Sequence, residues 1–226
     1  PGGNEAPRFT RPAPPLTPAQ SERLRRAYDL RLQGLTDRSR DTLTALLREA
    51  PHHPLLVTEL ARTLAVRGDW GAIVTLGRDE RARSRDSLLV TRELSTALER
   101  QARPREAAQV VLESWAASER EGTWAPARLL ELAPADARGV TEVLRAGTVA
   151  RPGRPDIALA YAALLSRTAQ PAEAARVLAA ADRASWRPPL RQRFADIALT
   201  QFNAPDSLAA IEALVSLASD AKFERV

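Results

Sequence analysis

The chain contains no cysteine and no methionine, only two histidines, and a single lysine, Lys222. Without cysteine there is no disulfide, no thiolate metal site and no thiol nucleophile. The two histidines are adjacent, His52 and His53. Adjacent residues on a turn do not converge on one metal as an i, i+4 helical pair does. Any Ser-His-Asp triad would have to use this pair, and no Gly-x-Ser-x-Gly elbow or phosphate-cradling glycine loop accompanies it. The histidines therefore read as a solvated interhelical turn. Aromatics number ten in 226 residues. Valine and isoleucine are too few for a β-rich fold, and no apolar run approaches the roughly 18 residues that span a bilayer. The missing methionine and the start at Pro1 lead us to expect a chain processed or excised from something longer.

What is present is a helix former's composition. Hydrophobic residues make up 44%, mostly Ala and Leu, enough to fill a continuous core. The balance of 33 basic against 28 acidic residues gives +5, weak support for a nucleic-acid partner. The basic residues are almost all Arg. That fits a GC-rich genome, which also favours Ala and Pro; selection for bidentate anion binding is the sharper reading.

A period runs through this composition. Leu30, Leu64, Leu98 and Leu132 stand 34 residues apart, and Leu165 and Leu199 follow at 33 and 34. Ala27, Leu30 and Gly34 recur as Ala61, Leu64 and Gly68; Ser95, Leu98 and Ala102 open the next unit. Pro104, Glu106, Ala107, Ala108 and Val110 recur at an offset of 67 as Pro171, Glu173, Ala174, Ala175 and Val177. A fixed period in this range signals stacked helical hairpins, whose stability adds up unit by unit in one elongated domain.

Turn chemistry divides the chain. Residues 1–17 carry the Pro-Ala-Pro-Pro run and almost no apolar periodicity, so they read as a linker or tail without a packed core. A segment of this kind often follows a signal peptide or a membrane anchor, which favours an extracytoplasmic, envelope-associated location. Residues 18–220 read as the solenoid. Thr17-Pro18 opens the first helix and Gly34 ends it; a second runs from Asp37 to the stop at Pro51. Helices follow over 54–67 and 70–82, 84–101 and 104–120, a short pair at 124–132 and 135–148, a fifth pair capped by Asp156, and a sixth at 188–202 and 205–219. Residues 221–226 read as the start of a further helix or a tail.

These units resemble the tetratricopeptide repeat family. Ala27/Leu30/Gly34 and Ala61/Leu64/Gly68 match its first-helix and turn marks, Ala107 and Ala174 its second-helix alanine, and Gly68-Asp69-Trp70 its turn. The family's early Trp is absent, with Arg23, Val57, Thr91 and Ala125 in its place, and Leu129 and Asp196 stand at small-residue positions. The resemblance implies an all-α fold, an α-solenoid of about six helix-turn-helix hairpins in a right-handed superhelix. It also implies a non-enzymatic scaffold or adaptor that binds a peptide or helix of another protein in a concave groove, with no cofactor. Its groove positions are Tyr28 and Arg31, Thr58 and Arg62, Arg92 and Thr96, Leu159 and Ala163, then Arg193 and Ile197. The arginines among them suit an acidic peptide. Leu24 and Tyr28 replace the Lys and Asn of the chaperone-binding carboxylate clamp, so that ligand is not expected.

Other candidates have bland readings. Asp29, Glu59, Glu93 and Glu99 lack the Glu-x-x-His pattern of a helix-borne metal site and read as solvated helix faces. Arg78, Arg81, Arg83 and Arg85 are interleaved with Asp79, Glu80 and Asp86, which keeps their net field small. Trp70 reads as a turn wedge and Trp115 as packed between repeats. Trp124 and Trp186 lie near breaks, where exposed aromatics anchor partners. Three rival functions remain: a subunit of an envelope or filament assembly, with exposed apolar strips; the helical appendage of a longer enzyme; and an RNA-binding repeat, with a coherent positive stripe.

Overall fold

The computed structural model describes residues 13–183, 187–200 and 204–223. Among the described residues the regular structure is twelve α-helices and one 3-10 turn, and consecutive helices within each of two units pack against one another. They form two compact units, Pro1–Glu121 and Gly122–Val226. The first contains α1 (Pro18–Leu32), α2 (Thr36–Glu49), α3 (Pro54–Val66), α4 (Trp70–Ser84), α5 (Thr91–Arg100) and α6 (Pro104–Ala117), followed by the 3-10 turn Glu119–Gly122. The second contains α7 (Trp124–Leu132), α8 (Ala137–Ala150), α9 (Pro155–Arg167), α10 (Pro171–Ala181), α11 (Leu190–Thr200) and α12 (Ala204–Phe223). The division falls where the sequence period is least regular.

Local chemistry accounts for the ends. Thr17 and Gln20 form a reciprocal capping box on α1, with Gln20 N–H donating to Thr17 Oγ1 at 3.3 Å and Thr17 N–H to Gln20 Oε1 at 3.0 Å. Four hairpins share one turn. The carbonyls of Leu30, Leu64, Leu98 and Leu165 each accept from the amide five residues on, at 2.9–3.0 Å. The residue before that amide is left-handed in every case: Gly34 (φ 78), Gly68 (φ 71), Ala102 (φ 56) and Ala169 (φ 58). This is the Schellman closure of a helix. The periodic leucines thus carry the repeating turn as well as a core contact.

The small-residue register organises the core. Ala27, Ala61, Ser95 and Ala162 are all fully buried, and their small side chains let neighbouring helices approach closely; Leu129 holds the same register position and is fully buried as well. Ala61 lies in a cluster with Val57, Leu89 and Val90, with Leu47 and Leu76 packed against it. Gly77 on α4 provides a second close approach, since a Cβ there would lie 3.2 Å from a Leu94 methyl. In α11 the register slips by one residue: Ala195 and Ala198 are buried, whereas Leu199 is 47% exposed. The step from Ala162 to Ala195 is therefore 33, and Asp196 does not occupy the small-residue position.

Several boundaries differ from the sequence reading. The expected helix over 84–101 is a loop up to Val90 and a helix from Thr91. Side chains compete with the backbone there: Asp86 N–H donates to Ser84 Oγ and Leu88 N–H to Asp86 Oδ1. Asp156 sits in the first turn of α9, not at its cap; Arg154 is the cap residue and pairs with Asp156 at 2.7 Å. The helix expected to end at Ser219 and the one expected from Ala221 are a single helix, α12. Residues 1–12 lie outside the described residues, but Ala13 and Leu16 are half-buried and help line a cavity of about 630 Å³ beside the His52–His53 turn.

Candidate functional site

In the first unit the expected groove positions fall on the odd-numbered helices. Tyr28 and Arg31 are on α1, Thr58 and Arg62 on α3, Arg92 and Thr96 on α5. Ion pairs join these helices in a row. Arg31 Nη2 lies 3.2 Å from Glu59 Oε2, Arg62 reaches Glu59 at 2.7 Å and Glu93 at 3.2 Å, and Arg92 lies 3.8 Å from Glu121. Arg31 also stacks 5.0 Å from the centroid of the Tyr28 ring. The sequence reading names all three arginines as groove residues. It treats Glu59 and Glu93 separately as solvated carboxylates, without their arginine partners. Arg31 is 28 residues from Glu59 and Arg62 is 31 from Glu93, about one repeat, so the period was the signal for these two pairs; Arg62 and Glu59 are three apart on α3.

The row alternates in sign but not in height. Arg62 and Arg92 side chains are 50% and 64% exposed, whereas Glu59, Glu93 and Glu121 are 16%, 15% and 24% exposed. At Arg62 and Arg92 the guanidinium groups stand above the carboxylates, so this part of the face is basic although the charges of the row balance; Arg31, 16% exposed, lies at the same depth as Glu59. Neighbouring carboxylates hold the Arg62 guanidinium more firmly protonated than usual, first through the hydrogen bond to Glu59 and against partial desolvation. Thr58 is occupied with its own helix, donating to Pro54 O at 2.8 Å, and Tyr28 remains 43% exposed.

In the second unit Leu159 and Ala163 are half-buried on α9, and Arg193 and Ile197 are exposed on α11. The one-residue slip in α11 moves the equivalent register positions to Gln192 and Asp196, both exposed. Arg193 and Ile197 are the positions that a uniform period of 34 gives from Leu159 and Ala163.

The remaining candidates are tied into the fold. His52 is left-handed (φ 60), and its Nδ1 lies 2.8 Å from the buried Glu80. His53 is only 7% exposed, so half of the expected solvated turn is buried. Arg78 pairs with Glu106. Arg81 donates to Ser87 O at 2.7 Å and lies 3.5 Å from Glu113; burial lowers its pKa, with Glu113 and Asp86 opposing. Arg83 pairs with Glu80. The cluster is largely matched within the unit. Hydrogen bonding from Arg103 holds the Glu106 carboxyl below its ordinary value despite partial burial, and Arg78 adds to the effect. Trp115 is fully buried and Trp124 half-buried, Trp70 lies under Arg100 at 5.9 Å, and Trp186 lies outside the described residues.

One buried ion pair had no signal in the repeat. Arg191, 6% exposed, binds Asp182 at 2.8 Å and Asp220 at 2.5 Å, linking the end of α10 to α11 and α12. Asp182 also accepts from Leu190 N–H at 2.5 Å, satisfying the start of α11. Among the described residues no group of three or more His, Asp or Glu side chains is placed to hold a metal, and no helix is long and apolar enough to cross a membrane. No family model matches the chain, and no curated protein matches it.

Proposed function

We propose that the chain is a non-enzymatic scaffold of tetratricopeptide-like hairpins that binds a peptide or helix of a partner protein along the exposed face of α1, α3 and α5. The observation that carries this reading is the height difference within the ion-pair row: the Arg62 and Arg92 guanidinium groups outward, their carboxylates beneath. Such a face offers planar donors at successive helix spacings to the carboxylates of an acidic peptide, while the glutamates underneath keep each arginine oriented. Exposed Tyr28 adds an apolar contact at one end. The test is a pull-down with Arg62→Glu plus Arg92→Glu. Loss of the partner with unchanged helicity and melting temperature supports the reading; retention at wild-type affinity rejects it.

A second reading has its own observation. On α12, Leu208, Ile211 and Val215 are exposed by 59%, 55% and 58%, with Leu214 at 38% beside them, while Ala209, Ala210 and Ala213 are buried on the opposite side. An exposed stripe at i, i+3 and i+7 is what an assembly subunit would present to a neighbour. Sedimentation of Ile211→Glu plus Val215→Glu against wild type separates the two: a shift to smaller species in the variant favours assembly, and identical monomeric behaviour disfavours it.

A further inference from the structure

The 67-residue offset places two recesses in equivalent positions, one in each unit, with opposite chemistry. In the first unit the recess lies between α4 and α6 over α5, with a volume of about 290 Å³ and Arg78, Leu94, Glu106, Val110 and Glu113 in its wall. Adding 67 to each number gives Arg145, Tyr161, Glu173, Val177 and Ala180. All five line a recess of about 310 Å³ between α8 and α10 over α9. The volumes are nearly equal, near the lower end of the roughly 300–1,000 Å³ that holds small ligands.

In the first recess each arginine has a carboxylate partner. Arg78 pairs with Glu106, Arg81 lies 3.5 Å from Glu113, and Gln109 donates to Glu113 at 3.0 Å. Three changes undo this in the second. Arg81 and Glu113 are replaced by Thr148 and Ala180, which removes that pair. Gln109 is replaced by Arg176, which pairs with Glu173 at 2.9 Å, so Arg145 loses the carboxylate that Arg78 keeps. Leu94 is replaced by Tyr161, a residue 5% exposed that lines the recess and whose hydroxyl has no hydrogen-bond partner among the described residues. Arg151 joins the rim, and neither it nor Arg145 has an ion-pair partner among the described residues. Burial raises the pKa of the Tyr161 hydroxyl and Glu173 pushes the same way, with Arg145 opposing; the phenol is therefore a donor at neutral pH. Val149, 78% exposed, and Val177 provide apolar wall.

The Tyr161 hydroxyl and the Arg145 and Arg151 guanidinium groups thus line one recess as donors that no side chain among the described residues takes up, which leaves them available to a ligand. We propose that this recess binds a small amphipathic anion, a carboxylate or a phosphate monoester on a short apolar body. Arg145 and Arg151 take the charge, Tyr161 donates to the same group, and the body lies against Val149, Val177 and Ala180. This inference stands independently of the partner face on α1, α3 and α5.

The test is calorimetric titration of the whole chain with octanoate and octyl phosphate, with octylamine as the cationic control. Saturable binding of at least one anion, with a dissociation constant of about 1 mM or tighter, is expected, and the stronger of the two identifies the headgroup. Arg145→Gln plus Arg151→Gln should weaken it at least about tenfold, and Tyr161→Phe several-fold. Ala180→Glu, which returns the carboxylate found in the first unit, should abolish binding. All three variants should melt as wild type does. No saturation by about 10 mM, equal binding of octylamine, or undiminished binding by the double arginine variant would overturn the proposal.

Discussion

Ala61 is fully buried against Val57, Leu89 and Val90, so any longer side chain there must displace a neighbouring helix. Ala61→Arg is expected to cost at least about 3 kcal/mol through overpacking and an unpaired buried charge. An unchanged melting temperature would show that the register is misassigned. Ala102 and Ala169 present the reverse case. Both hold the left-handed turn conformation that glycine holds at positions 34 and 68. An alanine there carries steric cost that glycine avoids, set against glycine's greater freedom in the unfolded chain. Ala102→Gly and Ala169→Gly should each stabilise by about 0.5–1 kcal/mol, read as a rise in the urea midpoint; a fall in both would contradict the turn assignment.

At the scale of the helix, the sequence made the hairpins legible wherever turn residues and period agreed. Gly34, Gly68, Pro104 and Pro171 marked ends that the structure keeps. The period also aligned Arg31, Arg62 and Arg92 on successive odd-numbered helices; their glutamates were visible as residues, but the pairing depends largely on contacts one repeat away. What was not legible depended on local competition or long-range burial. The loop before Thr91 forms because Ser84 and Asp86 side chains capture backbone amides. The slip in α11 follows packing of Phe194, Ala195 and Ala198, which no leucine spacing revealed. The Asp182–Arg191 pair ties α10, α11 and α12 without any repeat counterpart in the sequence reading. Breaking a buried pair leaves the other charge uncompensated, so Asp182→Ala should cost about 3 kcal/mol. The cost should appear in chemical denaturation; a loss below about 1 kcal/mol, the range of exposed pairs, would mean that Asp220 alone satisfies Arg191.

At the scale of the whole molecule, the two compact units each contain three helical hairpins. Repeat arrays draw stability from nearest-neighbour packing, so the first unit should stand alone. A fragment of residues 13–121 is expected to give a helical circular dichroism spectrum and a cooperative melt; a featureless, unstructured spectrum would show that its core depends on the second unit. The central claim is that the face formed by α1, α3 and α5 meets the partner. The most direct measurement places a photo-crosslinking residue in the full chain, one site at a time, at Thr58 and Thr96 on that face and at Arg105 and Gln109 on α6. The account predicts that Thr58 and Thr96 capture the same protein while Arg105 and Gln109 capture none; capture from the α6 positions alone would contradict it.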